Sequence, residues 1–137
     1  MRIFMYKFIN LEVMGDERGS LIALEDNSNI PFKIKRVYYI FNTQKNIRRG
    51  LHAHRKLKQF LVCVRGSCKI LLDNGDRVEH VHLNSPEKGI LLEGLIWREM
   101  YDFSKDCVLV VLASEHYDRE DYINDYDVFI KEVQSNG

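Results

Sequence analysis

A chain of 137 residues, 45% of them apolar or aromatic and only two of them prolines, is the right size for a single domain with a buried core. Twenty basic residues balance twenty acidic ones, so no global field draws the protein to nucleic acid or to an anionic membrane, and a charged ligand must be met by a local cluster. No run approaches the roughly 18 apolar residues of a membrane span, and the start, MRIFMYKFINLEVMGDERG, lacks the unbroken apolar core and small-residue cleavage site of a signal peptide.

From the N-terminus, an apolar start is followed by a turn, GDERG (15–19), that carries Arg18. Short alternating or apolar runs then predict strands over 20–25, 33–42, 58–65, 68–73, 77–83, 89–93, 96–101 and 107–114. Asn74-Gly75 between two of them is a hairpin signal, because both residues tolerate positive φ. Alternation over 33–40 puts Ile34, Arg36, Tyr38 and Ile40 on one face, and Tyr39 on the other, where it is expected to serve barrel packing. Cys63, Cys68 and Cys107 form an odd set without CxxC spacing, each in an apolar run. They read as buried free thiols in a reducing cytosol. His80 and His82 lie in a polar strand and are expected on a solvated face. From Asp118, the residues Tyr122, Ile123, Tyr126, Phe129, Ile130 and Val133 fall at helical spacing. A helix is predicted over 118–134, with Asp118 as N-cap and Glu120 and Asp121 at its positive end. Many short strands and one terminal helix predict an all-β sandwich or barrel.

The segment RRGLHAH (48–54) carries the chemistry. In an extended strand His52 and His54 project to the same side, which in a barrel is the interior. Gly50, His52, His54, Gln59 and Gly66 in this order resemble the first motif of the cupins, double-stranded β-helix (jelly-roll) barrels of this length. Metal-binding cupins usually carry glutamate where this chain has Gln59, and a further histidine in the second motif. That motif, GILLEGLIWR (89–98), has Trp97 and Arg98 instead. A neutral amide is a poor ligand and a guanidinium repels a cation, so no metal is expected. Two neutral imidazoles then remain for general acid–base work near neutral pH. Arg18, Arg36, Arg49 and Arg98 cluster around this motif in the sequence. Guanidinium groups pair with phosphate oxygens, which predicts a phosphorylated or diphosphate ligand.

Together IPFKIKRVYYI (30–40), RGLHAH (49–54), WREMYDF (97–103) and VLAS (111–114), followed by Tyr117-Asp118 and Asp121-Tyr122-Ile123, resemble the nucleotide-sugar 3,4-ketoisomerases. These are metal-free cupins acting on dTDP-4-keto-6-deoxy-D-glucose, and the likeness runs from about Lys7 to Phe129. The resemblance implies His52 as principal base, His54 and Tyr38 as positioning or enolate-stabilising groups, and Arg49 on the diphosphate or sugar. Arg18, Arg36, Gln59 and Arg98 join it in binding substrate. It implies no cofactor, a cytoplasmic location, and a homodimer exchanging N-terminal strands, for which the apolar segment 1–8 is suited. It also implies a place in making 3-amino-3,6-dideoxy sugars for surface glycans. An arginine at position 18 is similar to members giving the galacto product, and one after the tryptophan to those giving gluco. With both present, the expectation leans to galacto. Three rivals stand beside this reading. A sugar 3,5-epimerase pairs histidine with aspartate, and no aspartate adjoins the HxH here. A non-catalytic sugar-nucleotide sensor and a metal-dependent dioxygenase follow.

Overall fold

The structure, a computed structural model, describes residues 5–136. The strands are β1 (Lys7–Asn10), β2 (Met14–Asp16), β3 (Gly19–Leu21), β4 (Arg36–Ile40), β5 (Arg49–His54), β6 (Gln59–Arg65), β7 (Cys68–Asp73), β8 (Val78–Leu83), β9 (Lys88–Leu92), β10 (Trp97–Tyr101), β11 (Val108–Ala113) and β12 (Tyr122–Ile123), before helix α1 (Tyr126–Asn136). Two five-stranded antiparallel sheets, ordered β1-β9-β6-β11-β4 and β12-β5-β10-β7-β8, make the barrel walls, and β2 and β3 form a separate hairpin. This is the all-β, cupin-type arrangement with a C-terminal helix that the sequence predicts.

Period-two patterning builds the interior. In β7 and β8, Ile70, Leu72, Val81 and Leu83 point inward and meet Leu61, Ile90, Leu92 and Leu109 from the facing sheet. His80 and His82 point outward, as expected, and His80 Nδ1 lies 2.6 Å from the Tyr101 hydroxyl. The turn between β7 and β8 uses Asn74, whose Oδ1 accepts from the amides of Asp76 and Arg77, and Gly75 at φ +90°. The three thiols are free and buried; Cys63 Sγ lies 3.5 Å from Cys68 Sγ and 3.8 Å from Cys107 Sγ.

Three expectations need correction. The helix does not begin at Asp118. Residues Arg119–Asp121 make one 3-10 turn, which Asp118 caps, and Tyr122–Ile123 then pair with β5 as a strand. Asp125 is the cap of α1, its Oδ1 accepting from the amides of Asp127 and Val128. Apolar residues in this stretch suit a helix or a short strand alike, and the open edge of β5 decides. Tyr39 does not pack the barrel: it is 62% exposed on the outer face of edge strand β4, its ring 5.9 Å from that of Phe41. The strand expected over 20–25 stops at Leu21. Of the N-terminal segment 1–8, residues 1–4 lie outside the described residues, and Lys7 and Phe8 pair with Leu91 and Ile90 of the same chain. No helix among the described residues is long and apolar enough to cross a membrane.

Candidate active site

The site begins with a backbone irregularity. Gly50 (φ +86°) and Leu51 (φ +55°) are both left-handed, and pairing with β10 shifts register there, from Arg98 opposite His52 to Glu99 opposite Gly50. Such a bulge bends the strand and re-aims the side chains that follow. A Cβ on Gly50 would sit 3.1 Å from the Arg98 carbonyl oxygen, so glycine fits both the dihedral and the space. Beyond the bulge His52 and His54 face inward together, their ring centroids 4.7 Å apart and nearly perpendicular. Ala53 faces the other way, into a cluster with Trp97, Ile123 and Phe129 beneath α1.

Beside the histidines runs a polar relay. Arg98 is 1% exposed; it donates from Nη2 and Nε to the Ile96 carbonyl at 2.8 and 3.3 Å, and from Nη1 to Gln59 Oε1. The Gln59 amide in turn donates to the Tyr38 hydroxyl at 3.0 Å. Because Gln59 is the donor in that bond, Tyr38 keeps its own O–H to donate, and the residue lines a cavity. The Gln59 oxygen is committed to a guanidinium, so the set around the imidazoles is shaped for an anion rather than a cation. Among the described residues, the one group of three potential metal donors is the thiol cluster in the core.

Two adjoining cavities open on the histidines. One, of about 290 Å³, is lined by Arg36, Tyr38, Arg49, His52, Met100 and Tyr122 among others. The second, of about 430 Å³, includes Arg36, His54, Lys56, His116, Tyr117 and Tyr122. Arg36 and Tyr122 stand between them. The Arg36 guanidinium lies 5.2 Å from the Tyr38 ring centroid and 5.8 Å from that of Tyr117, and its buried Nε has no hydrogen-bond partner.

Burial and the nearby Arg98 charge hold both histidines neutral. Desolvation first and Arg98 second lower His52 to about 4. Desolvation, Arg98, His52 and Arg36, in that order, lower His54 to about 2. Burial itself lowers Arg98 to about 10, so it stays charged at neutral pH. Burial chiefly raises the Tyr38 phenol, with the neighbouring Tyr122 adding to the effect. His54 is 1% exposed and neither ring nitrogen makes a hydrogen bond. Asp121 Oδ2 approaches His54 Nδ1 to 3.3 Å, off the line of a hydrogen bond, while its carboxylate accepts from the amides of Arg55, Lys56 and Leu57. An aspartate therefore does adjoin the histidines in space, although none does along the sequence.

Of the residues singled out from sequence, His52, His54, Tyr38, Arg36, Arg49, Gln59 and Arg98 come together. Arg18 does not. It sits at the turn of the β2–β3 hairpin, its side chain 87% exposed and paired with Asp16 at 2.6 Å. Sequence reasoning passed over Tyr122 and Asp121, which fit a helical stripe and its acidic first turn. Their proximity to the HxH arises only when β12 pairs with β5.

The fold and this cavity define a cupin-type barrel with two buried imidazoles in an arginine-lined pocket. Comparison with known proteins narrows the class. The chain belongs to the family described as WxcM-like, C-terminal (FdtA), whose pattern matches residues 5–134. It is 53% identical over 127 residues, 93% of this chain and 91% of the relative, to a TDP-4-oxo-6-deoxy-α-D-glucose-3,4-oxoisomerase of Aneurinibacillus thermoaerophilus. Among solved structures, QdtA, a sugar 3,4-ketoisomerase from Thermoanaerobacterium thermosaccharolyticum in complex with TDP, superposes with a TM-score of 0.95 at 44% identity, covering 98% of each chain. A histidine-to-asparagine variant of that enzyme has been crystallised with TDP-4-keto-6-deoxyglucose. The WlaRB TDP-quinovose 3,4-ketoisomerase of Campylobacter jejuni is 49% identical with a TM-score of 0.88, over 92% of this chain and 97% of its own.

Proposed function

We propose that this isomerase acts on dTDP-4-keto-6-deoxy-D-glucose, moving the ketone from C4 to C3. The carrying observation is the pair of neutral imidazoles beside the Arg98–Gln59–Tyr38 relay in an arginine-rimmed cavity. The C4 ketone acidifies the hydrogen on C3. His52 takes that proton, charge develops on the C4 oxygen, and a phenol polarised through Gln59 by Arg98 stabilises it. The imidazolium then returns the proton to C4, while the C3 hydroxyl loses its proton and the C4 oxygen gains one, which leaves the ketone at C3 and a hydroxyl at C4. Arg36 and Arg49 hold the diphosphate-linked sugar. Burial is the main cause of the low histidine pKa values and the Arg98 charge the second; binding that dianion offsets the second, and to that extent substrate raises the basicity of its own catalyst.

The product configuration depends on which face of C4 is protonated. Arg98 is buried beside the two histidines, bonded to Gln59, and Arg18 stands away from them in the same chain, which favours the gluco product over the galacto product that Arg18 by itself implies. The working form is a homodimer: β4 is an edge strand whose outer face exposes Val37, Tyr39 and Phe41, an apolar strip that a second copy would cover. A 3-keto sugar is a substrate for amination, so the product suits a transaminase on a route to 3-amino-3,6-dideoxy sugars of surface glycans. Nucleotide-sugar chemistry and three free thiols suit the cytoplasm.

The test is NMR of dTDP-4-keto-6-deoxy-D-glucose during incubation with the protein, the product being trapped by a C3 aminotransferase. A 3-amino sugar confirms the reaction and its H3–H4 and H4–H5 couplings give the C4 configuration. Recovery of unchanged 4-keto sugar refutes the reaction.

A further inference from the structure

Migration of the ketone moves two hydrogens. One leaves C3 and arrives at C4, and the imidazole of His52 accounts for it. The other leaves the C3 oxygen and arrives on the C4 oxygen, and the residues assigned so far leave it without a carrier. The enediol has two neighbouring oxygens, whereas the Arg98–Gln59–Tyr38 relay ends in a single phenol.

Tyr122 supplies a second phenol at the same place. Pairing of Tyr122 with His54 sets its ring 4.3 Å from the His54 centroid and 5.0 Å from that of His52. It lines both cavities, and its effect on the Tyr38 phenol marks the two as electrostatic neighbours. Tyr38's hydroxyl accepts from Gln59. No side chain or backbone group among the described residues hydrogen-bonds the hydroxyl of Tyr122, which leaves it available to a ligand.

We propose that Tyr122 is a catalytic residue that carries the oxygen-borne proton. Its hydroxyl donates to the C4 oxygen as His52 takes the C3 proton, giving the enediol. It recovers a proton from the C3 hydroxyl as the imidazolium protonates C4. One O–H and one C–H bond break, one of each forms, and both side chains return to their starting state. The assignment rests on the C3-to-C4 reading above.

Tyr122→Phe tests it cleanly, because phenylalanine keeps the ring against both histidines and removes only the hydroxyl. Wild type and variant are incubated with dTDP-4-keto-6-deoxy-D-glucose in deuterated water, following product formation and wash-out of the C3 hydrogen from unreacted substrate. The expected result is a kcat lowered about a hundredfold, TDP affinity within about twofold of wild type, and C3 exchange that outruns isomerisation. A kcat within about threefold of wild type, with an unchanged ratio of exchange to isomerisation, overturns the assignment and leaves Tyr122 a packing residue. Loss of TDP binding in the variant also overturns it, because the ring's role is then structural. If the wild type itself neither exchanges at C3 nor forms product, the proposed reaction fails rather than the role of Tyr122.

Discussion

Replacing Arg98 by methionine removes a fully buried cation from beside the imidazoles while leaving a long side chain in its slot. His52 titrates at about 4 against an ordinary 6.5. That gap is about 2.5 units, or roughly 3 kcal/mol of preference for the neutral ring. Burial is the larger cause and Arg98 the second, so the guanidinium is responsible for only part of that gap. Removing a positive charge eases protonation, so the His52 pKa rises. The base is disabled when protonated, and the acid limb of kcat/KM therefore moves to higher pH, from about 4 toward but short of 6.5. Stability changes in two opposing ways. The Ile96 carbonyl and Gln59 oxygen lose their donors, at about 1–3 kcal/mol each. Against this, the burial that lowers Arg98 itself to about 10 no longer has a charge to act on. Activity falls at every pH, because Gln59 is no longer held to polarise Tyr38. The assay is a kcat/KM–pH profile of wild type and variant, with imidazole chemical shifts followed by NMR over the same range. An acid limb that stays put, or moves to lower pH, refutes the electrostatic reasoning.

Further outcomes follow from the same geometry. His52→Asn should lower kcat by about a hundredfold to ten-thousandfold while TDP still binds, measured by turnover and calorimetry. Both histidines are held neutral in the fold and gain protons first in the unfolded chain, so denaturant-melt stability should be full above pH 6.5 and decline as pH falls, toward about 4 for the His52 contribution and on toward about 2 for that of His54. Gly50→Ala should cost about 1–2 kcal/mol in thermal unfolding and reduce kcat, because it strains a φ of +86° and presses on the Arg98 carbonyl. Tyr126→Phe removes a 2.5 Å bond to the buried Asp73 carboxylate and should lower stability by about 1–2 kcal/mol in urea titrations with kcat unchanged, since α1 sits on the outer face.

Much of this molecule is legible in its sequence because local rules decide it. β7 matches its predicted span residue for residue, since alternation and the Asn74-Gly75 turn point to the same register. The inward face of β4, with Arg36 and Tyr38, follows from period two alone. What escapes is set by pairing between distant segments. Tyr122 satisfies a helical stripe and a strand equally, and only the free edge of β5 makes it a strand that meets the histidines. The bulge at Gly50 and Leu51 leaves no apolar signature, so the sequence places His52 on a strand without saying how it is aimed. Arg18 has the chemistry of a phosphate ligand, yet its hairpin stands apart from the barrel, and proximity to the motif in sequence does not become proximity in space. Asp121 shows the reverse, remote in the chain and 3.3 Å from His54 in the fold.

That last contact is also what a 3,5-epimerase would use, so the position of the label decides most directly what the imidazoles do. Wild-type protein and dTDP-4-keto-6-deoxy-D-glucose are mixed in deuterated water, and the sugar is read by NMR. Proton transfer between C3 and C4 predicts a 3-keto product with hydrogen at C5, and with deuterium at C4 in proportion to the exchange of the His52 imidazolium with solvent before it returns its proton. Deuterium at C5 with the ketone still at C4 would contradict it.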